Sequence, residues 1–405
     1  MQTPEGGGVA VAGEDRVRPS DAASPRASAA AAGASGGRLA ALDAFRGLTI
    51  AGMLLVNNPG TWSAIYPPLR HAQWHGWTPT DLIFPFFVFI VGVTTHLALE
   101  ARSGGPAGGA LTRKILLRGG AIILAGLLLH AFPFFPLSRW ETLRYPGVLQ
   151  RIGLCFIAAA LLSRGRSDRA VARIVALVLA GYWGLQALVA PPGVAAPTLD
   201  DPSATLSAWI DRQVFGTHLW SASRTWDPEG LLSTIPAVGT CLLGVLAGRR
   251  LSAPGALAER LMPLFAWGAI GMTAGLVWGW VFPINKNLWS SSYVLFTGGM
   301  ASVMLATAIW LVDLRGARPV VAPLVTYGLN PLVAFIGSGM MARTLGLIRV
   351  PEDGGTVPLQ RAIFESAFAG WLPLRLASLA YAIAFVLLWY LILRVLEARR
   401  LVVRF

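Results

Sequence analysis

Cysteine is scarce in this chain of 405 residues, which contains only Cys155 and Cys241. Each lies inside an apolar run, which predicts a small buried hydrophobe rather than half of a disulfide or a metal pair. The sequence also contains no CxxC or HExxH pattern, so metalloenzyme chemistry of the soluble type is not indicated. We therefore expect no bound metal.

Charged residues are also few. They make up 13% of the chain, against about 25% in a typical soluble domain. Hydrophobic residues account for 55%, and the mean hydropathy is +0.59. Several apolar runs reach about 20 residues, the length that crosses a hydrocarbon core. The composition predicts an all-α, polytopic integral membrane protein embedded in a lipid bilayer.

The apolar stretches divide the chain into about ten predicted transmembrane helices in one bundle. They lie at residues 39–57, 80–99, 115–135, 147–163, 170–190, 231–248, 261–281, 289–312, 320–342 and 372–396.

The net charge of +13 would suit nucleic acid, but its distribution favours another explanation. Arginines concentrate in alternate connections, around 102–118, 164–173, 249–260 and 315–318. By the positive-inside rule this side is cytoplasmic, and the charge also attracts anionic lipid. With an even number of helices, both termini are predicted to be cytoplasmic. We expect a multi-pass protein of the inner (plasma) membrane with no nucleic-acid partner.

Residues 1–37 are rich in Ala, Gly, Ser and Pro and contain no aromatic residue. Such a segment buries too little apolar surface to fold. No apolar signal-peptide core precedes Leu39. The sequence thus predicts a disordered cytoplasmic tail at 1–37, followed by one transmembrane domain at 38–405.

The connections on the other side, at 58–79, 136–146, 191–230, 282–288 and 343–371, collect polar residues of unusual kinds. Titratable groups at the mouths of membrane helices usually mark a site. The 191–230 connection is long enough to cover a pocket and contains a predicted short helix near 204–215. These connections and their borders contain His71, His75, Asp81, Asp227, Glu229, Asn285, Lys286 and Asn287.

An ordered set of motifs resembles the heparan-α-glucosaminide N-acetyltransferase family and covers nearly all of 38–405. The motifs are Leu42-Asp43-Ala44-Phe45-Arg46-Gly47, Val56-Asn57-Asn58, His71-Ala72-Gln73-Trp74-His75-Gly76, Asp81-Leu82-Ile83-Phe84-Pro85, Gly147-Val148-Leu149-Gln150-Arg151-Ile152-Gly153, Asp227-Pro228-Glu229-Gly230, Pro283-Ile284-Asn285-Lys286-Asn287-Leu288-Trp289-Ser290 and Tyr327-Gly328-Leu329-Asn330.

The resemblance implies a transmembrane acyltransferase that moves an acetyl group from cytoplasmic acetyl-CoA to an amino sugar on the outer face. Members of the family are often dimers, so a homodimer is a further expectation. Two departures bear on the acceptor: the usual Trp-Asn-Gly reads Trp74-His75-Gly76 here, and we expect no counterpart of the extra lumenal domain and helix of the lysosomal members.

His71 is the predicted catalytic base or transient acyl carrier, because an imidazole titrates near neutral pH. The resemblance places the family's catalytic histidine at this position; the alternative is an interfacial histidine bonded to loop carbonyls. Asp81 either orients His71 or stabilises the start of its own helix. Asn57 either donates to a thioester carbonyl or caps the first helix. All three are predicted as catalytic residues.

Arg46 and Asp43 stand three residues apart on one helix face. The functional interpretation has this pair at the acetyl-CoA site, with Arg46 meeting CoA phosphates through its bidentate geometry. The alternative is an ion pair within the helix.

A further set of residues is predicted to bind the sugar acceptor. Lys286 is one of only two lysines in the chain. It would serve the site as a point charge, as a second proton carrier or as a partner of Asp227 or Glu229. The alternative is a lysine that snorkels to the membrane interface. Trp74 either stacks on a sugar or belongs to the aromatic belt. The predicted set comprises His75, Trp74, Gln150, Arg151, Asp227, Glu229, Asn285, Lys286 and Asn287.

A sugar transporter or permease of the inner membrane is the alternative from another functional class. Polar groups on one face and a large loop fit it as well. Transporters, however, commonly show inverted repeats and helices broken at mid-membrane, and no convincing repeat relates the two halves of this sequence.

Overall fold

The structure, a computed structural model, describes residues 39–100, 109–352 and 354–401. The predicted tail at 1–37 lies outside them. The helices, numbered along the chain, are α1 (Ala40–Asn57), α2 (Pro79–Glu100), α3 (Gly109–Ala131), α4 (Val148–Ser163), α5 (Asp168–Leu188), α6 (Leu206–Phe215), α7 (Leu231–Ser252), α8 (Leu257–Trp278), α9 (Ser291–Ile309), α10 (Arg318–Leu329), α11 (Pro331–Leu347), α12 (Leu359–Phe364) and α13 (Leu374–Ala398).

Eight helices of the described residues are long and apolar enough to cross a membrane, and α10 with α11 forms a bent pair that makes a ninth span if counted as one. The 16-residue α4 is apolar but shorter. Each of the ten predicted stretches therefore corresponds to one helix or to this pair. The all-α, polytopic membrane class is confirmed, and the only strands of the described residues form one small hairpin, β1 (Arg349–Glu352) with β2 (Gly355–Pro358).

The predicted helix at 320–342 is wrong in one respect, because it is broken. Helices α10 and α11 meet at an angle of 72°. Asn330 leaves the helical conformation (φ −127°, ψ 55°) directly before Pro331. Proline has no N–H to donate, and its ring disfavours a helical conformation in the preceding residue.

Glycines set the closest helix contacts in the bundle, which is how membrane helices usually achieve tight packing. A Cβ at Gly92 of α2 would lie 1.9 Å from the carbonyl oxygen of Cys241 on α7. Between α1 and α10, a Cβ at Gly47 would lie 1.7 Å from the carbonyl oxygen of Leu324. Of these two glycines, Gly47 belongs to the motif Leu42–Gly47, so packing alone accounts for the glycine at that motif position.

The chain alternates between two ends of the bundle. We call the end with the connections 58–78, 132–147, 189–230, 279–290 and 348–373 the histidine end, and the end with 164–167, 253–256 and 315–317 the arginine end. Both described termini lie at the arginine end: the Ala40 amide donates to Asp313 at 3.1 Å, and α13 runs from the connection 348–373 at the histidine end to Ala398 at the opposite end.

The long connection at the histidine end contains the predicted short helix. Helix α6 is capped by Thr205, whose side-chain oxygen accepts from the Ala208 amide at 3.1 Å. Its Asp211 reaches back to the start of α7 and accepts from the Leu231 amide at 2.9 Å. The connection is therefore fastened to the bundle rather than left as an open loop.

Candidate functional site

His71 lies at the histidine end, bonded to the first turn of α2. Its Nδ1 lies 2.6 Å from Oδ1 of Asp81. A carboxylate only accepts, so in the neutral ring Nδ1 is the nitrogen that carries the proton and Nε2 has the lone pair. The His71 side chain is 47% exposed, which leaves that lone pair accessible to a substrate.

Asp81 is held rigidly under the histidine. It is 1% exposed, and its Oδ2 accepts from the amides of Ala72 at 2.9 Å and Thr78 at 3.1 Å. Its own carbonyl accepts from the Tyr293 hydroxyl at 2.5 Å. Both alternatives for Asp81 are therefore present together: it stands in the first turn of α2, and it also orients His71.

Lys286 completes this cluster. Its Nζ lies 3.0 Å from Nδ1 and 3.3 Å from Nε2 of His71, and 3.6 Å from Oδ1 of Asp81. An amine in line with one ring nitrogen would lie far from the other, so the near-equal distances place the ammonium over the ring. Burial lowers the pKa of Lys286, while the carboxylates of Asp81 and Glu229 act in the opposite direction.

His75 belongs to a neighbouring group of residues. Its Nε2 lies 3.0 Å from Asp200, and its Nδ1 lies 3.3 Å from the side-chain nitrogen of the buried Asn285. The 71–78 segment is not helical, so His71 and His75 do not share a helix face and meet different partners. Asn285 also accepts from the Leu288 amide at 2.9 Å, which shapes the 285–288 turn. Asn287 is half-buried in the same turn.

Trp74 is fixed beneath the long connection. Its indole N–H donates to the Leu199 carbonyl at 2.7 Å, and its ring packs edge-on against Trp226 with 5.3 Å between centroids. These two contacts make Trp74 part of the packing of the long connection. It lies next to His75, with 6.1 Å between ring centroids.

Asp227 and Glu229 both pair with Arg144, which the sequence interpretation missed. The Arg144 guanidinium lies 2.5 Å from each carboxylate. Burial would raise the pKa of Glu229, but the Arg144 charge holds it below its usual value. The same two carboxylates hold the pKa of Arg144 above its usual value despite burial. Of the alternatives for Lys286, pairing with Asp227 or Glu229 is therefore not formed, and Lys286 contacts Asp81 instead.

Arg151, predicted to bind the sugar acceptor, is instead fully enclosed in the bundle. It is 1% exposed, donates to the Gly230 carbonyl at 3.2 Å and to the Ser233 hydroxyl, and lies over the Trp289 ring at 4.9 Å. A buried guanidinium next to the Asp227–Glu229 segment braces the start of α7. Gln150, one residue earlier, does face a cavity.

That cavity, of about 310 Å³, is lined by Asn57, Gln150, His130, Arg144 and Arg343 among others. Asn57 also lines a neighbouring cavity of about 640 Å³ between the end of α1 and α12. No hydrogen bond or ion pair of the described residues joins Asn57 to His71. The expected cap at this helix end is provided by Asn58, whose side chain donates to the Leu54 carbonyl at 2.8 Å.

Arg46 and Asp43 lie far along α1 from this site, in its half nearer the arginine end. Arg46 Nη1 lies 3.3 Å from Oδ1 of Asp43 and donates to the Gly328 carbonyl at 3.0 Å. The Arg46 side chain is 21% exposed. The ion pair is thus present, and the guanidinium keeps some accessible surface.

Three further polar residues of the histidine end escaped the sequence interpretation: Arg144, His130 and Arg343. His130 bonds the Arg144 carbonyl at 2.9 Å and the Gln150 amide at 3.4 Å. All three occur singly at helix ends or in a short connection. Their one available signal was their position in or beside the connections that collect polar residues. Among the described residues no group of three or more His, Cys, Asp or Glu side chains is arranged to hold a metal.

Comparison with known proteins gives this geometry a context. A family model described as "Heparan-alpha-glucosaminide N-acetyltransferase, catalytic" matches residues 38–276, which is more than half of the chain. The chain belongs to this family.

Two curated members are similar over most of this chain. The heparan-alpha-glucosaminide N-acetyltransferase of Homo sapiens is 31% identical over 356 residues, covering 74% of this chain and 52% of the human protein. That of Mus musculus is 29% identical over 358 residues, covering 75% and 53%. The chain thus spans about half the length of the curated relatives it matches. The family match includes His71, Asp81 and the Arg144–Asp227–Glu229 network, whereas Lys286 lies beyond residue 276.

Proposed function

We propose that this protein is a transmembrane N-acetyltransferase that moves an acetyl group from acetyl-CoA to the amino group of a glucosamine-type sugar. Membership of the family supports the reaction class. The observation that carries the proposal for this chain is the 2.6 Å contact between His71 Nδ1 and Asp81. It leaves Nε2 as an exposed base at the mouth of an apolar bundle.

The proposed chemistry begins with a proton transfer. Nε2 of His71 takes a proton from the acceptor's amino group, whose nitrogen attacks the thioester carbon. The imidazolium that forms lies against the Asp81 carboxylate, which stabilises it. The carbon–sulfur bond then breaks, and the same proton passes to the CoA thiolate. Transfer through an acetyl group on Nε2 is the covalent alternative.

The acceptor's place is proposed from the polar surface around His71. Asn285 directly precedes Lys286 and contacts His75, and the charge of Glu229 in the Arg144–Asp227–Glu229 network acts on Lys286. Polar side chains that are already held by their own partners suit the recognition of sugar hydroxyls. These side chains lose little conformational entropy when a sugar binds. The roles of Trp74, Asn287, Gln150 and Arg151 in acceptor binding, and that of Asn57 as a carbonyl donor, stay predictions.

Acetyl-CoA is proposed to enter from the arginine end, taken as cytoplasmic. Arg46 would meet a CoA phosphate there, and the pantetheine arm would run between helices towards His71. Arg46→Ala should weaken acetyl-CoA binding, with partial rescue by Arg46→Lys, which keeps the charge but loses the fork. Equal acetyl-CoA affinity in wild type and Arg46→Ala would leave Arg46 as a structural partner of Asp43.

The direct test uses purified protein in liposomes, labelled acetyl-CoA and glucosamine. Labelled N-acetylglucosamine is the expected product. A transporter would instead accumulate sugar without CoA and form no acetylated product. Failure to form product with glucosamine and with glucosamine-terminated oligosaccharides would contradict the proposed activity.

The proposed orientation is testable by labelling with an impermeant thiol reagent in intact cells. Ala195→Cys lies exposed at the histidine end and should react, whereas Ser167→Cys at the arginine end should not. The native Cys155 and Cys241 are fully buried and give little background. Labelling at position 167 alone would reverse the orientation.

A further inference from the structure

Lys286 occupies an unusual position for a lysine. Its amine lies within 3.3 Å of both ring nitrogens of His71, where the proposed reaction delivers an acetyl group. The side chain is 16% exposed, so it sits inside the site rather than extending to the interface. No intervening side chain separates this amine from the proposed base.

The chemistry of Lys286 matches that of the proposed acceptor. The ε-amine of Lys286 and the amine of a glucosamine-type sugar are both primary amines. Both become nucleophilic on losing a proton. Burial lowers the pKa of Lys286. A larger fraction of this amine is therefore neutral than in an ordinary surface lysine. A base that deprotonates a sugar amine can deprotonate this one.

We infer that Lys286 is a self-acetylation site: when no amine acceptor is bound, its Nζ receives the acetyl group from an acyl-CoA thioester at His71. This inference rests on the proposed acetyl transfer. The bond between the acetyl carbon and the thioester sulfur breaks, and an amide bond to Nζ forms. The Lys286 ammonium first releases one proton to water, and the neutral amine then attacks. The second proton leaves the nitrogen through His71 and ends on the CoA thiolate, so the products are acetyl-lysine, free CoA and one proton.

The modification is a dead end. An amide is a poor acyl donor, so the acetyl group cannot move on to a sugar. The ammonium facing Asp81 and His71 is lost, and a bulkier neutral group takes its place over the ring. A saturating acceptor competes with Lys286 for the acetyl group. Self-acetylation should therefore inactivate the protein in proportion to the time it spends with acetyl-CoA and no acceptor.

The chain supplies its own control for this inference. Lys114, the second of its two lysines, lies exposed on α3 near the arginine end. Non-specific acetylation by acetyl-CoA would favour this accessible amine over the buried one. A strong preference for Lys286 is therefore the signature of transfer at the site.

The experiment incubates the purified full-length protein with labelled acetyl-CoA and no acceptor, and reads both lysines by peptide mass spectrometry. We expect acetylation at Lys286 and little at Lys114, with suppression by glucosamine. His71→Ala should slow modification of Lys286 by about 100-fold or more, the usual contribution of a positioned base. Lys286→Arg should incorporate no label there and lose no activity during preincubation with acetyl-CoA, whatever its initial rate.

The outcomes separate this inference from the proposed function, because acetyl transfer to glucosamine is measured in the same preparation. Transfer to glucosamine with an unmodified Lys286 overturns the self-acetylation alone. Equal acetylation of Lys114 and Lys286, unchanged in His71→Ala, overturns it too. Acetyl-Lys286 without any sugar product supports it and contradicts the proposed acceptor. Neither product contradicts both.

Discussion

The two ends of the bundle use the same kinds of charged residue in different ways. At the arginine end, Arg166 and Arg260 donate to backbone carbonyls within nine residues of themselves, and Arg249 pairs with the distant Asp168, which is 70% exposed. At the histidine end, Arg144 pairs with acids more than 80 residues away, and Lys286 meets a histidine 215 residues away. The charges at the arginine end thus bond helix ends or solvent-exposed partners. The charges named at the histidine end hold separate connections together.

This contrast supports our proposal that the chemistry takes place at the histidine end. A charge bonded to its own helix end has little influence on a remote group. Buried charges from separate segments fix one another's position and electrostatics, and such clusters are typical of functional sites. The following changes should show different effects at the two ends.

The largest effect is expected from His71→Ala. Loss of the proposed base should reduce acetyl transfer by about 100-fold or more, while expression and acetyl-CoA binding stay near normal because the loop lies outside the packed helices. His218→Ala is the matched control, since that ring stacks on Tyr145 at 3.9 Å and bonds the Leu143 carbonyl, with no hydrogen bond to His71 among the described residues. Acetyl transfer by His71→Ala at a rate near that of the wild type would contradict the proposed mechanism.

Arg144→Ala should strongly destabilise the histidine end. It leaves the buried carboxylates of Asp227 and Glu229 without their shared cation, a change that costs about 3–5 kcal/mol in other proteins. The control is Arg249→Ala at the arginine end, whose partner Asp168 is 70% exposed and where about 1 kcal/mol or less is expected. Denaturant unfolding in detergent micelles measures both. Similar losses in the two variants would contradict the contrast drawn between the ends.

The pH dependence of stability should come partly from Asp211. Burial, and then the charge of Asp227, raises its pKa from an ordinary 3.8 to about 7 in the folded protein. The folded state therefore binds the proton more tightly, so this group's stabilising contribution is present at low pH and is lost as pH rises from about 4 to 7. Asp211→Asn keeps the oxygen that accepts from Leu231 and should flatten the Tm profile over that range. An unchanged profile would exclude Asp211 as the titrating group.

His75→Asn should have the smallest effect on acetyl transfer. It restores the residue type the family resemblance implies at this position. Its contacts are a 3.0 Å bond to Asp200, which is 90% exposed, and a long bond to Asn285. Exposed pairs of this kind contribute about 1 kcal/mol or less, which is a factor of about five in rate or affinity. His71→Asn in the same assay should lose far more, and equal losses would mean that the two histidines share one task.

The fold class was readable from the sequence because a bilayer restricts what can span it. Apolar length and the spacing of arginines are local properties. They predicted the ten helical stretches, the short helix of the long connection and the placement of both described ends of the chain on one side. The break at Asn330 was missed, although Pro331 was visible, because prolines such as Pro85, Pro236 and Pro263 lie within intact helices. Whether a proline breaks a helix depends on which neighbours satisfy the freed carbonyl.

The candidate site was only partly readable. The sequence determined which residues are chemically capable, His71, Asp81 and Lys286 among them, and that they border the connections of one end. Tertiary structure decided which of them meet. Lys286 contacts Asp81 and His71 rather than the expected acids, Arg144 takes those acids, and Arg151 is enclosed against Trp289. The physical reason is that a pairing between loops depends on how the helices pack. Glycines such as Gly92 and Gly47 determine that packing, because they allow two backbones to approach closely. No local pattern in the sequence records the distance between two backbones.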